Sequence, residues 1–193
     1  MDIKLFLALL GACIALVGNI PYLRDVITNK IQPHPYTWLV WTLVSAITLF
    51  GQIAKGAGVG AIPTATAEIF TVIIFLFSLR YGFRNIVRRD TYFLIVALLG
   101  IILWILTKDP TISVVIAVSI DLVAFVPTLR KTWVKPASET PILYSMNVVR
   151  HVLTLFSLQA YNVATTLHSI AMIVTNTAMT GIILFRRKRN SNA

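Results

Sequence analysis

Charged residues are scarce in this 193-residue chain, at 12%, and acidic ones are scarcer, with 7 Asp and Glu against 17 Lys and Arg. A soluble domain carries about a quarter charged residues, so an ordinary water-soluble globule is excluded. The one cysteine, Cys13, excludes an intramolecular disulfide. The histidines His151 and His168 have no second metal ligand at a useful spacing. No nucleophile, base and acid stand together as a set. Neither an enzyme nor a metal or other cofactor is therefore expected. Long loops are missing as well, and the short ones offer no site for a soluble partner.

Apolar residues fill the space, at 57%, in long blocks separated by short clusters of charge. A bilayer core about 30 Å thick needs roughly 20 apolar helical residues, and this chain supplies such a block repeatedly. Seven spans can be laid down, roughly at 4–23, 36–54, 60–80, 91–107, 111–130, 141–160 and 164–185. The expected class is an all-α integral membrane protein. Leu10-Gly11-Ala12-Cys13 is faintly similar to a lipoprotein cleavage box, but the chain continues as the apolar IALVGNIPYL. The first block thus reads as a retained span, with Cys13 serving small-residue helix packing. Span four, TYFLIVALLGIILWILT, is apolar all round. It should face lipid or apolar partners and carry no chemistry.

The basic residues set an orientation. With the N-terminus outside, Arg24, Lys30, Arg80, Arg84, Arg88, Arg89, Arg130, Lys131, Lys135 and Arg186 to Arg189 fall inside, thirteen in all. Only Lys4, Lys55 and Lys108 fall outside, and Arg150 lies within a span. The expectation is an N-terminus outside and a C-terminus in the cytoplasm, in a bacterial inner membrane. The net charge of +10 is then a topology signal, with no nucleic-acid partner implied. The closing Arg186 to Arg189 would anchor on anionic membrane lipid.

An internal repeat is visible at an offset of 106 residues. It aligns Leu16, Val17, Pro21, Leu23, Arg24 and Pro35 with Leu122, Val123, Pro127, Leu129, Arg130 and Pro141, and Arg80 with Arg186. The implied organisation is a three-helix repeat over 1–83, a linker with the fourth helix over 84–110, and a second three-helix repeat with a basic tail over 111–193. A unit of three spans that starts outside ends inside, so a parallel second unit needs one more crossing.

Three spans, a linker and three spans, with a proline near the inner end of each unit's first helix, resembles the PQ-loop superfamily, which includes the SWEET and SemiSWEET sugar transporters. The chain would be a divergent member, with Pro21-Tyr22 and Pro127-Thr128 where the family has Pro-Gln. The resemblance implies that Pro21, Pro35, Pro127 and Pro141 act as gating hinges. It also implies that Asn176 binds substrate, although the repeat offset pairs Asn176 with Phe70.

Ionisable residues inside spans are costly and face a bundle interior or wet cavity; here they are Glu68, Asp121 and Arg150. At about 1.5 Å per residue, Asp121 and Arg150 lie about 13–14 Å in from the inner end, Asn176 about 15 Å and Glu68 about 18 Å. Helical stripes agree: Asn147, Arg150, His151 and Thr154; Trp41, Ser45, Thr48 and Gln52; Thr64, Glu68 and Thr71; His168, Met172, Thr175, Asn176 and Met179. A central polar site near the midplane is expected. Its substrate-binding candidates are Arg150, Asn147, Asn176, Trp41, Gln52 and His151, and Asp121 and Glu68 are proton-coupling or ion-pairing groups. Either Arg150 pairs with one acid as a structural tie, or it holds an anionic group of the substrate while one acid exchanges a proton. Trp38, Trp104 and Trp133 read as interfacial belt residues, His34 as a solvated loop residue, and Pro63 as a kink or packing residue in span three.

The expected function is a membrane transporter of a small polar metabolite by alternating access. Its solute would be a sugar, an amino or organic acid, or a vitamin precursor, with the charged midplane favouring a charged or zwitterionic one. The alternative is a non-transporting membrane receptor or assembly protein on the same scaffold. A homo-oligomer is left open.

Overall fold

Proline-led apolar blocks produce a helical architecture. The computed structural model describes residues 2–107 and 109–191, and every regular element among them is helical. The long helices are α1 (Ile3–Ile27), α2 (Pro35–Ala54), α3 (Ile62–Tyr81), α4 (Arg88–Leu106), α5 (Pro110–Val134), α6 (Pro141–Ser157) and α7 (Val163–Ser191). One-turn 3₁₀ segments sit at Gly58–Ala61 and Pro136–Ser138. These helices coincide with the seven expected spans. Lys108 lies outside the described residues, as does the side chain of Trp104.

Local chemistry explains the boundaries. Pro35, Pro110 and Pro141 each open a helix, where the missing N–H would have had no partner. Asp109 caps α5 by accepting from the backbone N–H groups of Thr111 and Ile112 at 2.7 and 3.0 Å. After α1, Asn29 adopts φ 58°, the left-handed conformation that commonly ends a helix.

Five helical segments are long and apolar enough to cross a membrane: α1, α2, Gly58–Tyr81, α5 and Val163–Arg189. The burial pattern agrees with a membrane setting. Phe50, Ile69, Phe156 and Val174 are more than 60% exposed on the outside, while Asp121, Arg150, His151 and Asn176 are buried inside. An apolar exterior around a polar interior suits lipid and would be a liability in water.

Six helices close into a ring. Going round, α1 packs on α6, α6 on α7, α7 on α5, α5 on α2, α2 on α3, and α3 on α1. Within each group of three, the third helix lies between the first and second, whose backbones stay apart among the described residues and which meet through aromatic side chains, Tyr22 with Trp38 and Phe125 with Tyr144. Helix α4 stands outside the ring, packed mainly on α5 and less on α2.

Three expectations are corrected here. Cys13 is exposed, and the small residues that pack α1 are Ala8, Gly11, Ala15 and Gly18. Pro63 lies in the first turn of α3, so it starts the helix and does not kink it; the packing alternative stands, since it fills the space beside Gly11. His34 is fully buried, because Asp90 at the start of α4 comes within 3.3 Å of its Nε2.

Candidate functional site

The ring surrounds a partly open cavity of about 80 Å³, lined from all six of its helices and, among the described residues, by none of α4. That is room for roughly five waters or a small solute of similar bulk. Glu68, Asp121 and Arg150 all line it, with Asn147, His151, Asn176 and Trp41. Of the expected site residues only Gln52 stands apart: it is fully buried in α2, away from the cavity, with neither amide atom partnered. The α2 stripe turns out of the cavity after Ser45, because α2 leans on α5 along its outer half.

Arg150 forms no ion pair among the described residues, so the structural-tie reading is not what the geometry holds. Its Nε donates to Asn147 Oδ1 at 3.2 Å and its Nη2 to His151 Nε2 at 2.6 Å, while Nη1 is buried without a partner. A guanidinium only donates, so His151 must accept at Nε2. It then carries its proton on Nδ1, which faces Ser169 Oγ at 3.3 Å. The imidazole is thus held neutral in one tautomer.

The acids have other neighbours. Asp121 Oδ2 lies 3.6 Å from His168 Nε2, and its Oδ1 is buried with no partner. Glu68 accepts a hydrogen bond from the hydroxyl of Ser45. The His151 and His168 rings meet edge to face with centroids 5.4 Å apart. A row therefore runs from carboxylate through two imidazoles to guanidinium. Asn147 Nδ2 donates to Asn176 Oδ1 over a long 3.5 Å. Trp38 is not a belt residue: it is buried, lines the cavity, and packs between Tyr22 and Trp41 at 5.5 and 5.2 Å. Trp133 is half-exposed under the Arg186 guanidinium, 4.9 Å away, as an interfacial residue would be.

At the end of the bundle that carries most of the basic residues, buried polar bonds join the first three helices to the last three. Lys131 and Glu139, both fully buried and both from the second half of the chain, form an ion pair that reaches across to the first half. Lys131 Nζ also donates to Gln32 O at 2.7 Å, and Tyr22 Oη donates to Glu139 Oε2 at 3.0 Å. Thr128 Oγ1 donates to Thr37 Oγ1 at 2.9 Å. Tyr22 and Thr128 are the residues that follow Pro21 and Pro127. Each internal proline therefore sits beside a cross-bundle bond. Asp90 adds α4 to this end through a two-pronged pair with Arg130 at 3.0 and 2.6 Å. Burial holds His34 below its ordinary value, at about 4, an effect the Asp90 carboxylate only partly offsets.

The opposite end is fastened by backbone contacts. Gln159 N donates to Ala57 O at 3.2 Å, and Lys4 Nζ donates to Leu158 O at 2.7 Å. Gly60 lies so close that a side chain there would meet the Leu158 Cα at 2.9 Å.

Comparison with family models, curated proteins and solved structures returned no match. The site is thus read from its own geometry. Sequence reasoning missed Asn19, which lines the cavity from α1, and the Asp121–His168 pair. It also missed Glu139, which meets Tyr22 from the first helix, and Asp90, which meets Arg130 and His34. Helical spacing had already set His168 on the α7 stripe, but no local signal pointed to the other three.

Proposed function

We propose that this chain is a seven-helix carrier that moves a small polar metabolite across a membrane by alternating access. Its two three-helix units would rock about the central cavity, with Pro21, Pro35, Pro127 and Pro141 as hinges at the cytoplasmic end. The observation that carries this reading is the central cavity, which holds charged groups and has contacts between the first three and last three helices at both of its ends. Transport needs such a centre and two ends that can part in turn.

The packing supports a 3+1+3 organisation. The pairs α1·α3, α3·α2 and α1·α6 recur as α5·α7, α7·α6 and α5·α2, as parallel repeats related by an axis along the membrane normal would have it. The end rich in Lys and Arg is assigned to the cytoplasm. Glu68 has no basic partner among the described residues and Asp121 has only an imidazole beside it, which suits a proton-coupled cycle with Asp121 or Glu68 taking up and releasing the proton.

Uptake by protein reconstituted into liposomes tests the proposal. Flux of one solute class should depend on an imposed pH gradient and fall in Asp121→Asn or Glu68→Gln. Flux indifferent to pH and to both substitutions would remove proton coupling. No flux of any sugar, amino acid, organic acid or vitamin precursor would remove the carrier.

A further inference from the structure

The cavity holds two unmet groups of opposite sign. Arg150 Nη1 and Asp121 Oδ1 are both buried and unpartnered, in residues only 5% and 3% exposed. The remaining atoms of each group are engaged, Arg150 by Asn147 and His151, Asp121 by His168. Each charge therefore presents one open position. The two imidazoles between them keep the acid and the guanidinium from neutralising each other directly.

Ligand classes differ in how they meet this pair. A neutral sugar can offer hydroxyls to both positions but compensates neither charge. A simple carboxylate satisfies Arg150 and leaves Asp121 open, and a simple amine does the reverse. A zwitterion fills both positions and adds no net charge to a low-dielectric site, where an unpaired ion is most costly. The small cavity, about 80 Å³, argues against disaccharides and nucleosides. The long Asn147–Asn176 contact is a weak bond that can open to receive the ligand's polar atoms.

We propose that the central cavity binds a small zwitterion of amino-acid type, its carboxylate on Arg150 and its ammonium on Asp121. This deepens the carrier reading and rests on it for the role of the cavity.

Thermal stability of the purified protein in detergent tests the ligand class. Glycine, β-alanine and 4-aminobutanoate are titrated beside the matched carboxylic acids, the matched amines and glucose. At least one zwitterion should half-saturate at a concentration about tenfold or more below its matched acid and amine. Asp121→Asn should abolish that advantage while leaving the response to the acid, and Arg150→Gln should remove the response to the acid. An acid as effective as its zwitterion, stabilisation by glucose alone, or no response to any of the series overturns the proposal. The titrations on the unsubstituted protein decide the matter even if neither variant folds. Uptake into liposomes separates the two claims. Zwitterion binding without flux removes the carrier and keeps the ligand class, whereas flux of another solute without zwitterion binding does the reverse.

Discussion

The rings of His151 and His168 meet edge to face with centroids 5.4 Å apart, and this contact stands between Asp121 and Arg150. A guanidinium and a carboxylate on facing helices would ordinarily be read as an ion pair. Here each is paired to an imidazole, at 2.6 Å for Arg150 and 3.6 Å for Asp121. His151 is therefore the acceptor that holds Arg150 in position. His151→Phe keeps the ring but removes that acceptor, and should lower stability by about 1–3 kcal/mol. His151→Gln, which can still accept, should lose less. Denaturation midpoints of the two variants check this, and equal midpoints would show that the bond contributes nothing.

Lys131 and Glu139 lie fully buried where the two groups of three helices meet. Removing one partner strands the other charge, so Lys131→Met should cost about 3–5 kcal/mol. The double variant Lys131→Met with Glu139→Gln leaves no buried charge in the pair and should cost less than the two single changes added together. A double-mutant cycle on thermal midpoints measures the coupling. Additive effects would mean that the pair is not coupled at all.

His34 is neutral at pH 7 because burial holds it at about 4 in the folded protein, against 6.5 when exposed. Its Nε2–H faces Asp90, and its Nδ1 is buried without a partner, so a proton added there would have nowhere to go. Its folded value is depressed, so the unfolded chain binds the extra proton first as pH falls. The stability tied to neutral His34 is fully present above about pH 6.5 and lost by about pH 4, about 3 kcal/mol in total. Midpoints measured from pH 7.5 to 4.5 should fall more steeply for the native protein than for His34→Gln. Parallel curves would show that His34 titrates normally.

Gly60 touches the backbone of Leu158 at the end opposite the ion pair, and its added Cβ would lie 2.9 Å from the Leu158 Cα. Backbone cannot rotate aside as a side chain can. Gly60→Ala should push the two groups of helices apart there and cost about 1–3 kcal/mol. The same overpacking should bias the bundle toward opening at that end. Faster labelling of a cysteine introduced at Ala61 would register it, and unchanged labelling with unchanged stability would refute the close approach.

Much of the helical framework was legible from composition and spacing. Runs of apolar residues bounded by Pro35, Pro110 and Pro141 set the helices, because a proline opens a helix more readily than it continues one. The stripes Asn147, Arg150, His151 and Thr64, Glu68, Thr71 set which faces turn inward, because 3.6 residues per turn is a local property. Glu68, Asp121, Arg150, Asn147, His151, Asn176 and Trp41 consequently reach one cavity, as their depths along the chain suggested. Where local spacing said nothing of the neighbouring helix, the reading failed. Gln52 completes a stripe, yet is buried without a partner and does not line the cavity. His34 looked solvated beside two prolines, yet Asp90, 56 residues on, covers it.

The sequence by itself determined that the chain is helical, apolar without and polar within, and charged at mid-helix, since these follow from residue type and helical period. Long-range partnership was decided by tertiary structure. Lys131 finds Gln32, Glu139 finds Tyr22, and Asp121 finds His168, while Arg150 is left with its own helix neighbours Asn147 and His151 in place of an acid. Short-range spacing fixes the direction of a side chain. Only the packing of one helix on another fixes which charge it meets, and that choice is what leaves Arg150 and Asp121 each with one open position.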